Sequence, residues 1–267
     1  MPELPDVEIF RQYVNSTALH KEIDQVDLQS RDMLEGVSPS QIKRTLKGER
    51  LVSTDCHGKH LFIKTSGGSW LMLYFGMTGF VKYFKNPEKS PAHNRLRLRF
   101  SNGYHLAYDC QRKLGEIALT DNPALFVEAN DLGPDALDPG FDLGRFRETF
   151  QTRRASVKSA LMNQKYIAGI GNIYSDEILF QAGVHPGTLC NQLDEDETKT
   201  LHSKMHHVLS AAIKTRAEPS RLPSSFIIPH RRGDGICPKC KGRIEKTIIG
   251  GRASYYCPQC QQSKEKK

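Results

Sequence analysis

Residues 237–260 have the sequence CPKCKGRIEKTIIGGRASYYCPQC. Two Cys-x-x-Cys pairs, Cys237/Cys240 and Cys257/Cys260, are separated by sixteen residues. This spacing lets two metal-binding knuckles face each other and offer four thiolates tetrahedrally to zinc. Iron in a rubredoxin-like site and two local disulfides are the alternatives. A closed set of four thiolates leaves no open catalytic position, so we expect one structural zinc ion that holds a fold.

The stretch between the two cysteine pairs is predicted to form a β-hairpin. Two β-rich runs in GRIEKTIIGGRASYYC are joined by Gly250, Gly251 and Arg252. The flexible glycines favour a tight turn, and we expect Arg252 to be exposed beside them. An arginine at a hairpin tip suits a DNA groove or a phosphate, although an arginine on a solvated turn is also common.

Positive charge is concentrated in the C-terminal part of the chain. Residues 226–267 contain ten Lys/Arg and three Asp/Glu, a balance of +7 out of the net +8 of the whole chain. This distribution indicates a polyanionic partner or a solvated basic tail. The first twenty residues lack the pattern of a signal peptide, and no apolar run has membrane-spanning length. We therefore expect a soluble, cytoplasmic protein in which Cys56, Cys110 and Cys190 are small buried residues.

The 267 residues are enough for several domains in an α+β multidomain chain. Apolar residues from Leu4 to Val14 recur at helical spacing, and alternating runs at 50–65, 69–84 and 94–109 predict an antiparallel sandwich or barrel. LGPDALDPGFDLGRF, at 132–146, has the composition of a linker. Helical patterns follow at 156–164, 172–184 and 194–217, the last ending near Ala217. The predicted domains are 1–135, 136–225 and 226–267.

A glycine-rich turn lies between two of these helical patterns, in the sequence Gly169-Ile170-Gly171-Asn172-Ile173-Tyr174. The glycines permit a tight turn, and Asn172 is a candidate N-cap for the helix that follows. Backbone N–H groups and the positive end of the helix dipole can bind a phosphate there. A purely structural turn is the more common role for such a sequence.

The amino terminus offers a candidate nucleophile. If Met1 is removed, Pro2 becomes a free secondary amine and is followed by Glu3. A terminal amine has a reference pKa of about 7.7 to 8.0, so a useful fraction is unprotonated near neutral pH. Attack on a sugar C1′ would give an iminium ion, and Glu3 could protonate the ring oxygen or shuttle a proton. The alternative is that the sequence Pro-Glu-Leu-Pro only begins a helix.

These segments together resemble the formamidopyrimidine-DNA glycosylase / endonuclease VIII family, in order and in spacing. The matching motifs are MPELPDVE at 1–8, GK at 58–59, FGMTG at 75–79, GIGNIYSDE at 169–177 and GRASYYCPQCQ at 251–261. The resemblance extends over nearly the whole chain, and PELP favours the formamidopyrimidine branch. It implies an N-terminal β-sandwich with an N-terminal helix, a helix-two-turn-helix domain and a C-terminal β-hairpin zinc finger.

The resemblance also implies an activity and a role for individual residues. We expect a monomeric glycosylase and AP lyase that removes oxidised or ring-opened bases from damaged duplex DNA and nicks the strand by β,δ-elimination, with no soluble cofactor. Pro2 matches the Schiff-base nucleophile and Glu3 the general acid/base. Lys59, Asn172 and Arg252 match groups around the lesion and its phosphates, and Lys59 and Arg252 are also counted with the catalytic set. Lys165 matches a DNA contact more loosely, with a solvated lysine as the alternative.

Three further residues match positions that fill the space left by an extruded nucleotide. They are Met77, Arg112 and Leu114. A base must leave the stack before its sugar can be reached, so an apolar wedge and an arginine donor have a clear use there. Without the resemblance, Met77 would be assigned to the core.

Some residues depart from the family pattern. Asp6 replaces a usual glutamate, Leu114 a typical phenylalanine, and Tyr74 a usual histidine. The segment 217–236, AEPSRLPSSFIIPHRRGDGI, is only twenty residues long where the formamidopyrimidine branch has a long loop over the everted 8-oxoguanine. We therefore expect 8-oxoguanine to be a poor substrate. The rival functions are a non-catalytic DNA-binding protein of the same fold and, more distantly, a zinc-ribbon RNA binder.

Overall fold

The computed structural model describes residues 1–263, and the chain divides into two compact units. The first unit contains Met1–Pro2 and Asp6–Asp131. The second contains Glu3–Pro5 and the chain from Leu132 onward. The short segment that carries Glu3 therefore belongs to the same unit as the helical and zinc-finger regions.

The first unit is an antiparallel β-sandwich preceded by a helix, as the sequence predicts. Helix α1 is Leu4–Thr17 and helix α2 is Pro39–Leu46. The eight strands are β1 (Ile23–Leu28), β2 (Leu51–His57), β3 (His60–Thr65), β4 (Trp70–Tyr74), β5 (Phe80–Phe84), β6 (Asn94–Phe100), β7 (His105–Asp109) and β8 (Glu116–Thr120). A short helix, α3 (Pro123–Ala129), follows and was not predicted.

Two four-stranded sheets make up the sandwich, in the orders β1-β6-β7-β5 and β2-β3-β4-β8. Alternating residues of the strands point inward, because successive side chains of a strand lie on opposite faces. Leu61 and Leu71 from one sheet and Leu96 and Leu106 from the other are buried in one apolar cluster. The apolar residues that alternate along the predicted strands therefore form this core.

Up to residue 263, the second unit is built from four α-helices, short 3-10 turns and a two-stranded hairpin. The elements are α4 (Leu143–Gln151), α5 (Val157–Met162), α6 (Asn172–Ala182), α7 (Glu195–Lys214), β9 (Glu245–Ile249) and β10 (Arg252–Tyr256). Helix α6 is buried on nearly all sides, from Tyr174 to Phe180. Among residues 1–263, no helix combines the length and apolarity needed to cross a membrane.

Two segments of the second unit differ from the prediction. Segment 132–146 is not a loose linker, because Ala136, Phe141 and Phe146 are fully buried in the helical core and α4 begins within it. Helix α7 ends at Lys214 and not near Ala217. Arg216 and Ala217 have φ values of +57° and +52°, a left-handed conformation that cannot continue a right-handed helix.

Candidate functional site

The four cysteines of the finger form one cluster. Their sulfur atoms all lie within 4.8 Å of one another. The Cys237–Cys260 and Cys240–Cys257 Sγ distances are 3.8 and 3.4 Å, far longer than a disulfide bond of about 2.05 Å. Four sulfurs at about 2.3 Å from a tetrahedral zinc ion are separated by about 3.8 Å. All four cysteines are free. The cluster therefore fits a zinc ion, and the alternative of two local disulfides is wrong.

The hairpin between the cysteine pairs has Arg252 beside its turn. Ile249 pairs with Arg252, and the two intervening glycines have φ values of +55° and +73°. Two successive left-handed positions are typical of the tight hairpin turn that glycine favours. Arg252 is exposed at the start of β10, which leaves its guanidinium accessible to a ligand.

A buried carboxylate fastens this hairpin to helix α6. Asp176 Oδ1 accepts hydrogen bonds from Lys158 Nζ and from Ser254 Oγ, the latter at 2.8 Å. Its Oδ2 accepts from Arg231 Nε at 2.8 Å and from the Tyr255 N–H at 3.1 Å. Lys158 and Asp176 are almost completely buried. Burial lowers the pKa of Lys158, and the Asp176 carboxylate opposes that effect.

Lys158 and Arg231 of this cluster also bind backbone carbonyls of β10 and α6. Lys158 Nζ also donates to the carbonyl of Ala253, next to Arg252, at 3.2 Å. Arg231 Nη2 donates to the carbonyl of Asn172 at 3.3 Å. The cluster therefore links the start of β10 to the start of α6, where two of the predicted DNA-contacting residues lie.

Glu3 caps the N-terminus of helix α6. Its carboxylate accepts hydrogen bonds from the N–H groups of Gly171 (2.7 Å), Ile173 (2.8 Å) and Tyr174 (3.2 Å). The Glu3 side chain is fully buried. These donors and the helix dipole stabilise the ionised carboxylate. The prediction that Asn172 is the N-cap is wrong, because Gly171 holds that position and Glu3 supplies the oxygen atoms.

The side chain of Asn172 contains a buried polar atom. Asn172 is the first residue of α6, and its Oδ1 is buried without a hydrogen-bond partner among the described residues. Buried polar atoms are normally paired, so such an atom points to a ligand or to water. This observation favours a binding role for Asn172 even though its predicted capping role is wrong.

Lys59 lies in the two-residue turn between β2 and β3. His57 pairs with His60 across this turn, and Gly58 has a φ of +57°, which glycine adopts without strain. Lys59 is only 8% exposed. Burial lowers the pKa of His60 to about 4, so its ring is neutral at physiological pH. That ring stacks on Tyr74 with a centroid distance of 5.2 Å.

The residues predicted to fill an emptied nucleotide site are on the surface of the sandwich unit. Met77 lies in the β4–β5 turn and is 38% exposed, while Leu114 lies in the β7–β8 loop and is 49% exposed. Arg112 is exposed in the same loop. The Arg112 N–H donates to Thr78 Oγ1 at 3.2 Å, so the two loops are in contact.

Comparison with known proteins covers almost the whole chain. Models for the formamidopyrimidine-DNA glycosylase N-terminal domain, its H2TH domain and the zinc finger found in FPG and IleRS match residues 1–117, 132–224 and 237–262. Formamidopyrimidine-DNA glycosylases of Pelobacter propionicus and Geobacter metallireducens are 32% and 33% identical, over 98% of this chain and all of theirs. The chain belongs to the formamidopyrimidine-DNA glycosylase family.

Solved structures of the family have the same fold. The Lactococcus lactis Fpg in complex with abasic-site DNA matches with a TM-score of 0.88 at 27% identity. A MutM complex with DNA containing carbocyclic 8-oxo-G also matches with a TM-score of 0.88, at 29% identity. Both matches cover 98% of this chain and 100% of the other. The sandwich, the helical domain and the zinc finger predicted from the sequence are confirmed.

Within this family fold, the structure brings together some of the predicted site residues. Glu3 and Asn172 meet at the start of α6, and Met77, Arg112 and Leu114 lie on two touching loops. Pro2 is half-buried just before α1, and Lys165 is exposed in the turn that precedes α6.

The residues that hold these groups in place were not predicted from the sequence. They are Lys158, Asp176 and Arg231 in the helical unit, and Thr78 and Arg95 in the sandwich. One signal was available for Asp176. It is one of two adjacent acids on a helix whose apolar residues are not confined to one face, and a helix of that kind is normally buried.

Proposed function

We propose that this chain is a bifunctional base-excision enzyme, a DNA glycosylase with AP lyase activity, whose nucleophile is the amine of Pro2 after removal of Met1. The anchoring of Glu3 by three backbone N–H groups carries the proposal. The residue bonded directly to Pro2 is thereby fixed, so the terminal amine has a restricted position. Effective catalysis requires that restriction, because an unconstrained terminus would have to be ordered at each turnover.

The proposed reaction begins when the lone pair of the Pro2 nitrogen attacks C1′ and the bond to the damaged base breaks. The base leaves with a proton drawn from solvent, the proton lost by the amine reaches the ring oxygen as the sugar opens, and a cationic iminium forms. Loss of a C2′ proton then expels the 3′ phosphate, and a second elimination expels the 5′ phosphate. Water hydrolyses the remaining iminium and restores the free amine.

Glu3 supplies the proton transfers in this scheme. An ionised carboxylate accepts a proton as the amine is consumed and returns it to the ring oxygen. Its three N–H partners favour the ionised form between these steps. Glu3 would thus combine proton transfer with the positioning of its neighbour.

Binding of damaged duplex DNA is assigned to the remaining residues. Lys59, Asn172 and Arg252 would bind phosphates near the lesion, with Lys165 as an outer contact. Met77, Arg112 and Leu114 would occupy the space of the extruded nucleotide. Relatives of known structure were solved with abasic-site DNA and with Fapy-dG containing DNA, which supports this class of ligand.

Strand incision tests the proposal against a non-catalytic DNA-binding protein of the same fold. A duplex with one abasic site should be cut to products bearing phosphate at both ends, and Pro2→Gly should slow incision by roughly a hundredfold or more. Pro5→Ala is the matched control, since it changes the same segment and leaves the amine intact. Tight binding of the abasic duplex by the wild-type protein without any incision would establish the non-catalytic alternative.

A further inference from the structure

The β4–β5 turn and the β7–β8 loop display exposed side chains on a fixed backbone. Met77 and Leu114 are among the exposed large apolar residues of the described chain. A wedge between base pairs must resist being pushed aside, because unstacking a base costs a few kcal/mol. The backbone under the wedge therefore has to be fastened from within the protein.

Arg95, on strand β6, fastens the β7–β8 loop at its start. Its Nε donates to the carbonyl of Cys110 at 2.9 Å, and its Nη2 donates to the carbonyl of Gln111 at 3.3 Å. The side chain is half-buried. One planar guanidinium thus holds two successive peptide groups immediately before Arg112, a geometry that its fixed fork of donors permits.

Thr78 fastens the same loop to the β4–β5 turn. Its Oγ1 accepts the Arg112 N–H at 3.2 Å. Gly76 and Gly115 allow the two backbones to touch, because a Cβ at Gly76 would overlap the Leu114 carbonyl and a Cβ at Gly115 would overlap the Tyr74 carbonyl. The two loops therefore form one packed unit, with Met77 on one side and Leu114 on the other.

We propose that Arg95 and Thr78 are positioning residues for the extrusion of the damaged nucleotide: they hold the Met77, Arg112 and Leu114 backbone rigid so that these side chains can displace a stacked base. The proposal rests on the proposed function. Neither residue need touch DNA. They act when a base must be driven from the helix and are dispensable when no base is present.

A pair of substrates separates this role from a general structural one. In single-turnover experiments with saturating enzyme, Arg95→Lys and Thr78→Val should slow excision of a formamidopyrimidine base paired with cytosine by about tenfold, the equivalent of a lost hydrogen bond to a positioned group. Incision of a preformed abasic site in the same duplex should change less than about twofold, since that site has no base to extrude. Arg95→Lys retains the charge, so a loss of electrostatic attraction to DNA is excluded.

Asp32→Asn provides the matched control. It removes the exposed ion pair between Asp32 and Lys113 of the same loop, and exposed pairs contribute little to stability. Both substrates should be processed at wild-type rates by this variant. Fluorescence of 2-aminopurine beside the lesion should report slower extrusion only in Arg95→Lys and Thr78→Val.

Two results would overturn the proposal. One is an equal slowing of both substrates in Arg95→Lys and Thr78→Val, and the other is no slowing of either substrate in folded variants whose thermal unfolding matches the wild type. A different result would show that the proposed function itself is wrong. In that case the wild-type protein itself would not incise the abasic duplex.

Discussion

Asp176 accepts four hydrogen bonds, two at each carboxylate oxygen, while it is almost completely buried. Its partners come from α5, from β10 and from the segment before the finger. A buried charge is tolerated when its partners satisfy it and becomes very unfavourable when one partner is lost. The position of β10, and of Arg252 at its start, therefore depends on this carboxylate.

Replacement of Asp176 by asparagine should destabilise the helical and finger unit strongly. The variant leaves the Lys158 ammonium buried without a counter-charge, which costs roughly 3–5 kcal/mol of unfolding free energy. Urea unfolding of the zinc-loaded protein measures this loss. The double variant Lys158→Met with Asp176→Asn should recover much of it, because no uncompensated buried lysine remains. An Asp176→Asn protein as stable as the wild type would show that the ion pair is dispensable.

Sequence patterns identified the functional residues that belong to short local motifs. The four cysteines are identified by their two short repeats, and Arg252 by the glycines before it. The ion pairs of Asp176 join residues that are separated in the chain, Lys158 and Arg231. They depend on how α5, α6 and the segment before the finger pack. The cap of helix α6 also depends on a distant residue. Asn172 was predicted to be the cap, but the capping oxygen atoms come from Glu3, which is 168 residues away from Gly171.

Helix α6 also contains a second buried acid, Glu177. Its carboxylate accepts hydrogen bonds from Gln181 Nε2 at 2.7 Å and from the Ile228 N–H at 2.9 Å. Burial nevertheless raises the pKa of Glu177 to about 7. Proton binding to this group is therefore stronger in the folded protein than in the unfolded chain.

The pKa of Glu177 predicts a loss of stability between pH 4.5 and pH 7. A raised pKa in the folded state gives a contribution that is full below the unfolded value and is lost as the pH rises through the folded value. Glu177→Gln cannot ionise, so its unfolding free energy relative to wild type should rise by about 2–3 kcal/mol between pH 5 and pH 8. Denaturation of both proteins at the two pH values measures this difference. A constant difference would show that Glu177 has an ordinary pKa.

Elements with a strong repeating pattern were predictable, and those stabilised by distant contacts were not. The strands of the sandwich and helices α5 to α7 follow periods of 2 and 3.6 residues. Segment 132–146 has the composition of a linker, yet Phe141 and Phe146 anchor it in the helical core. Helix α3 has seven residues and none of them is buried, so its sequence lacks an apolar stripe.

At the scale of the whole molecule, the connection between α7 and the finger bears on the choice of substrate. Residues 217–236 contain two short helical turns, at Pro219–Arg221 and Ile228–His230. Leu222 and Phe226 belong to the helical core, and Ile227 belongs to the core of the finger. These three buried side chains tie the middle of the segment to the unit, so only short stretches on either side are left to close over an everted base.

We predict that 8-oxoguanine is a poor substrate. Ring-opened purines, oxidised pyrimidines and hydantoins pair or stack weakly, so their extrusion costs less and depends less on a closing loop. Leu114 fills space without the stacking of an aromatic ring, which acts in the same direction. Single-turnover excision on matched duplexes compares the lesions. Equal rates for 8-oxoguanine opposite cytosine and for the formamidopyrimidine base would contradict this prediction.

Borohydride trapping followed by peptide mapping shows whether Pro2 forms the covalent bond to DNA. Borohydride reduces the iminium to a stable amine, so wild-type protein incubated with an abasic duplex should yield one cross-linked species. The adduct should map to the N-terminal peptide that begins at Pro2, and Pro2→Gly should trap far less. An adduct on Lys59, or incision without any trapped species, would contradict the account.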